Sequence, residues 1–85
     1  MEIKFDPGFP EQMRWWLERD SRIAEHIESL MHSAEEDPFH GLGDPRLIKE
    51  MGRGVWGRHI TEDHYLIYVL ERERLTFLSC RAVRF

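Results

Sequence analysis

The 85-residue sequence predicts an α+β fold: an N-terminal strand and a two-helix hairpin packed on a small antiparallel twisted sheet, in one domain spanning residues 1–85. Three observations carry this expectation. Apolar residues recur at helical spacing up to Asp37. After Pro38 the composition turns to glycine, then to β-branched and aromatic residues. The later apolar runs are joined by the short polar turns Thr61-Glu62-Asp63 and Glu71-Arg72-Glu73, which suit an antiparallel meander.

The elements follow in order. Ile3 and Phe5 alternate before the Asp6-Pro7-Gly8 turn, as in a short strand. Pro10 is tolerated in the first turn of a helix and Glu11 complements its positive end. Met13, Trp16 and Leu17 then share a face as far as Asp20. Asp20 or Ser21 can cap a second helix, in which Ile23, Ile27, Leu30 and Met31 repeat at i, i+4, i+7 and i+8 until Asp37-Pro38 ends it. Val55 to Ile60, Tyr65 to Leu70 and Leu75 to Ala82 read as three strands. Helices on one face of such a sheet leave the other as a concave surface for function. Repeats and low-complexity segments are absent from the sequence.

The lone cysteine, Cys80, lies in an apolar run and reads as a buried thiol of a reducing compartment. The opening MEIKFDPGFP has no apolar signal-like region, and no run approaches the roughly 18 apolar residues that cross a bilayer. A cytoplasmic protein with no membrane association is expected. Net charge is −4, but residues 1–45 carry −7 and residues 46–85 carry +3. The acidic half suits a solvated helical surface and the basic half suits an anionic partner. His26 and His32 lie six apart and His40 sits in a loop, so no pair has the spacing of a helical metal site; neither metal nor cofactor is expected. Trp16 and Trp56 read as core residues, whereas an exposed Trp15 would mark a protein-binding patch.

From Asp37 to Tyr68 the chain is dense in basic, aromatic and glycine residues. Pro38, Phe39, Gly41, Gly43, Pro45, Lys49, Gly54, Trp56, Arg58, Ile60, Thr61, Glu62, His64, Leu66 and Tyr68 keep one ungapped register with a known pattern. Trp16, Asp20, Arg22, Ile23, Ile27 and Leu30 extend it upstream, and Cys80-Arg81 downstream. In these residues the sequence resembles the YoeB/Txe toxins of the RelE superfamily. The resemblance implies a RelE/YoeB-like fold and a toxin of a type II toxin–antitoxin pair that cuts mRNA in the ribosomal A site. It also implies a YefM-like antitoxin as partner and leaves room for a toxin homodimer.

Departures from that family fall at chemical positions. YoeB-like enzymes have a glutamate at Arg46, an arginine at Tyr65, an arginine at His59 and a His-Tyr ending where this chain reads Ala82-Val83-Arg84-Phe85. Metal-free RNA cleavage needs a deprotonated 2′-hydroxyl, a stabilised phosphorane and a protonated leaving oxygen. Arg46 can hold a phosphate but cannot act as a base. Tyr65 offers a hydroxyl and a stacking face, Arg84 a charge, and His59 is the candidate replacement base. Arg46, His59, Tyr65 and Arg84 are therefore the candidate catalytic residues, with Lys49, Arg58, His64, Arg81 and Phe85 as candidate RNA-binding residues. The expected activity is a weakened mRNA interferase. The competing reading is an inactive toxin-fold module that keeps antitoxin binding and co-repression, and a gyrase-directed relative on the same fold is a third option.

Overall fold

The computed structural model describes residues 1–83. Strand β1 (Glu2–Phe5) leads into α1 (Phe9–Arg19) and α2 (Ser21–Glu36), followed by β2 (Arg46–Leu47), a 3₁₀ turn (Lys49–Met51), β3 (Val55–His59), β4 (Tyr65–Glu71) and β5 (Arg74–Ala82). One residue joins the helices. The Asp20 N–H closes α1 on the Trp16 carbonyl at 2.7 Å, while its carboxylate accepts the Arg22 and Ile23 amides of α2. A residue that ends one helix and caps the next fixes a tight hairpin.

The five strands form one sheet in the order β1-β5-β4-β3-β2. It is mixed rather than purely antiparallel, because β1 runs parallel to β5 with Glu2 opposite Arg74 and Phe5 opposite Phe77. The short β2 is the other addition to the sequence expectation, pairing Arg46 with Gly57 and Leu47 with Trp56.

The two faces of the sheet bury different residues. Against the helices lie Leu66, Tyr68, Leu75, Phe77 and Cys80, meeting Phe9, Trp16, Ala24, Ile27, Leu30 and Ala34. On the outer face Ile48, Val55 and Ile67 form a smaller cluster with Tyr65, Val69, Leu78 and Ala82 around it. Leu17 departs from expectation: it is 56% exposed, and its neighbours Trp15 and Met13 pack towards the core instead. Among the described residues no helix is long and apolar enough to cross a membrane.

Beyond Phe77 strand β5 loses β1 as a neighbour, and α1 takes over its edge. Two register shifts against β4 fall there, between Tyr65 and Ile67 and between Ile67 and Tyr68. The Gln12 Oε1 accepts the Cys80 N–H at 2.7 Å and the Ser79 hydroxyl at 3.1 Å, and the Trp16 Nε1–H donates to the Cys80 carbonyl at 2.9 Å. An open strand edge is thereby satisfied by helix side chains instead of inviting another chain.

Burial pushes the Cys80 thiol from an ordinary value of 9.0 up to about 12, against a smaller opposing pull from the Arg81 guanidinium. Burial likewise raises the Tyr68 phenol, opposed by its hydrogen bond from Arg58. Between about pH 9 and 12 the unfolded chain releases a thiol proton that the folded chain retains, so stability falls as pH rises through that window. Urea midpoints across it should decline in the parent and decline less steeply in Cys80→Ala. An identical slope in both proteins would remove Cys80 from the account.

Candidate functional site

Strand alternation sorts the candidate residues. On β3 the side chains of Trp56 and Arg58 share one face, while Val55, Gly57 and His59 share the other. Cross-strand partners point the same way, so Arg46 opposite Gly57, and Tyr65 opposite both His59 and Ala82, join the outer face. The His59 and Tyr65 rings lie 4.6 Å apart at 48°. Arg46 is held by Asp44, whose Oδ2 receives Nε at 3.0 Å and lies 2.9 Å from Nη2. Lys49 begins the 3₁₀ turn directly after Ile48, which is anchored in the outer-face cluster; its own side chain is exposed.

Arg58 is elsewhere, and its expected role as a phosphate contact is corrected. It is 0% exposed and lies on the helix side of the sheet. Each of its five N–H groups has a partner: Nε donates to the Tyr68 hydroxyl at 3.0 Å; Nη1 to the Ser33 hydroxyl at 2.8 Å and the Leu42 carbonyl at 3.0 Å; Nη2 to the carbonyls of Asp37 at 2.7 Å and His40 at 3.0 Å. The Tyr68 hydroxyl in turn donates to the Pro38 carbonyl at 2.6 Å. A guanidinium has five donors, so none remains for a ligand. Its charge is balanced by converging oxygens, not a carboxylate, and the result is a clamp that holds loop 37–43 to β3.

The glycines of that loop serve the clamp. Gly41 and Gly43 have φ of 115° and 83°. A Cβ at Gly41 would collide with the Ser33 hydroxyl and press on Arg58 Nη1, and one at Gly43 would sit 2.8 Å from Leu30 Cδ2 and 3.0 Å from both Arg58 Cβ and the His59 carbonyl oxygen. Asp37 completes the bend, accepting the Phe39 N–H at 3.0 Å and facing His40 Nδ1 at 3.1 Å. The Phe39 amide is the main cause holding the Asp37 carboxyl below its usual range. Phe39 itself, 46% exposed, packs its ring 5.2 Å from that of Trp56.

Two further candidates also lie away from the outer face. His64 packs edge-on to Trp16 at 4.9 Å, and its Nδ1 is 3.0 Å from the Thr61 hydroxyl, which also accepts the Asp63 and His64 amides. It stabilises the β3–β4 turn. Arg81 stacks on Trp15 at 3.7 Å, as Arg19 does at 4.2 Å, so Trp15 is engaged by two guanidiniums rather than offered as a free patch. Arg84 and Phe85 lie outside the described residues.

The structure thus gathers Arg46, His59 and Tyr65 on one face and removes Arg58 to the core. The burial of Arg58 had a sequence signal, since it shares the parity of Trp56, a residue read as core. Asp44 had none, because only the turn brings its carboxylate back onto Arg46.

The family description "YoeB-like toxin of bacterial type II toxin-antitoxin system" matches residues 5–83. Toxin YoeB of Escherichia coli is 37% identical over 67 residues, covering 79% of this chain and 80% of that protein. Toxin YoeB of Mycobacterium bovis is 33% identical over 79 residues, covering 93% of each. Among solved structures, a YoeB/ParE toxin from Agrobacterium tumefaciens superposes with a TM-score of 0.89 at 30% identity over 100% of both chains. The YoeB dimer from Staphylococcus aureus shares the fold, with a TM-score of 0.84 at 24% identity over 95% of this chain and 94% of that one. On this match from Phe5 to Val83, the chain belongs to the YoeB-like toxins of bacterial type II toxin–antitoxin systems.

Proposed function

We propose that this toxin is an endoribonuclease acting on mRNA in the ribosomal A site, slower than enzymes that keep the family's glutamate and arginine, and held in check by a YefM-like antitoxin. The observation that supports the reading is the outer-face grouping of a guanidinium, an imidazole and a phenol from three adjacent strands, Arg46, His59 and Tyr65. Gly57, between Arg46 and Ile67 across the sheet, adds no side chain to the floor, which leaves room for a nucleotide. Arg46 and Lys49 neutralise the scissile phosphate, Tyr65 stacks or hydrogen-bonds, and His59 exchanges a proton with a reacting oxygen. Arg84 and Phe85 remain expected contributors of charge and stacking. The family's complexes, among them YoeB–YefM from Staphylococcus aureus, motivate the antitoxin, and the dimer from the same organism motivates a toxin homodimer.

The test is primer extension on a translated message after expressing the chain with and without its antitoxin. Cuts that require translation, appear without antitoxin and vanish with it are expected, at rates about 10²–10⁴-fold below an enzyme with its usual base. Absence of cuts at high toxin concentration would reject the nuclease and favour a module that binds antitoxin alone.

A further inference from the structure

Loss of the family's glutamate at position 46 does not leave the outer face without a carboxylate. Asp44, two residues earlier, turns back onto it. Its φ of 52° follows a φ of 83° at Gly43, and this double left-handed bend folds its side chain onto Arg46. Both contacts from Arg46 go to Oδ2. Among the described residues Oδ1 accepts no hydrogen bond, and the side chain is largely exposed. The bend is tied to the candidate site, because the Gly43 carbonyl accepts the His59 N–H at 2.8 Å and the His59 ring packs on Tyr65. A carboxylate–guanidinium pair and an imidazole–phenol pair therefore lie on neighbouring strands at one corner of the sheet.

We propose that Asp44 is the general base of this toxin and Arg46 its electrostatic partner, a deepening that rests on the nuclease reading above. Asp44 Oδ1 takes the proton of the 2′-hydroxyl as that oxygen bonds to phosphorus. Arg46, held in place by Oδ2, faces the negative charge developing on the phosphorane oxygens. The bond from phosphorus to the 5′-oxygen breaks, and the leaving oxygen takes a proton from protonated His59. The products are a 2′,3′-cyclic phosphate and a 5′-hydroxyl, and the two transferred protons are exchanged back through water. Position 46 thus changes from base to electrophilic stabiliser, and the base moves to the adjoining turn.

The experiment is single-turnover cleavage of ribosome-bound mRNA over a toxin concentration series, for the parent, Asp44→Asn, Asp44→Glu and His59→Gln. Thermal midpoints confirm that each variant is folded. Asp44→Asn should cut about 10²–10⁴-fold more slowly at saturation. Its half-saturating concentration should stay the same or fall, because Arg46 is released to bind phosphate. Asp44→Glu should recover part of the rate. Parental cleavage at saturation by Asp44→Asn overturns the assignment and leaves the nuclease standing. So does a defect confined to half-saturation, which would make Asp44 only a holder of Arg46. A folded, ribosome-bound parent that never cuts overturns the nuclease reading, and the role of Asp44 with it.

Discussion

Arg58→Met should strip away about half of the protein's folding stability. The substitution removes the N–H donors of three part-buried carbonyls and of the Ser33 and Tyr68 hydroxyls, which keep the Leu42 amide and the Pro38 carbonyl as partners. An orphaned buried polar group costs about 1–3 kcal/mol, and the losses are less than additive because the loop can open to water. A net loss of about 4 kcal/mol is expected, against the roughly 5–10 kcal/mol that a domain of this size has in total. Arg58→Lys keeps the charge but has three donors for five acceptors, and should lose about 2–3 kcal/mol. Urea denaturation with the tryptophans as probes decides the matter. A parental midpoint for Arg58→Met, with only RNA or antitoxin binding impaired, would return Arg58 to the role of ligand contact.

Gly43→Ala is the second large effect, at about 3 kcal/mol. A left-handed φ costs a residue with a Cβ roughly 1–2 kcal/mol. Forcing that Cβ between Leu30, Arg58 and the His59 carbonyl adds about 1–3 kcal/mol of overpacking. Hydrogen exchange gives a local readout. The His59 amide, bonded to the Gly43 carbonyl, should lose protection beyond the global loss if the loop is wedged off β3. Parental stability in Gly43→Ala would mean that the loop is not seated as tightly as the geometry requires.

Both predictions concern residues whose density in the sequence suggested function. Pro38, Gly41, Gly43, Arg58 and Tyr68 stand out as a recognisable pattern, yet in the fold they form or accommodate one internal clamp. The pattern identifies the family correctly, and in this chain its residues serve the packing of the loop. It misplaces the chemistry because a basic side chain in a signature segment looks the same in sequence whether it faces a phosphate or five internal acceptors. Parity along β3 carried the missing information: Trp56 and Arg58 point one way, His59 the other.

The rest divides along similar physical lines. Helices α1 and α2 and strands β3 to β5 were legible because each buries one face and so imprints its period on the sequence. Strand β2 was not, since two residues leave no period. The pairing of β1 with β5 was equally hidden, because local sequence specifies that a strand exists but not which distant edge it joins. At the candidate site, His59 and Tyr65 follow from alternation, whereas Asp44 depends on backbone conformation that only coordinates reveal.

That β1–β5 pairing has a temporal meaning. Among the described residues the first strand finds its one sheet neighbour in residues 74–77, and α1 grips Ser79 and Cys80. While the polypeptide is being made, its opening segment must wait for residues 74–77, some seventy positions on. Contacts this distant in sequence are slow to close and cannot form piecemeal. A nascent chain that has not reached β5 has no completed sheet on which to seat α1, so strand, helix and sheet come together only once β5 has been made.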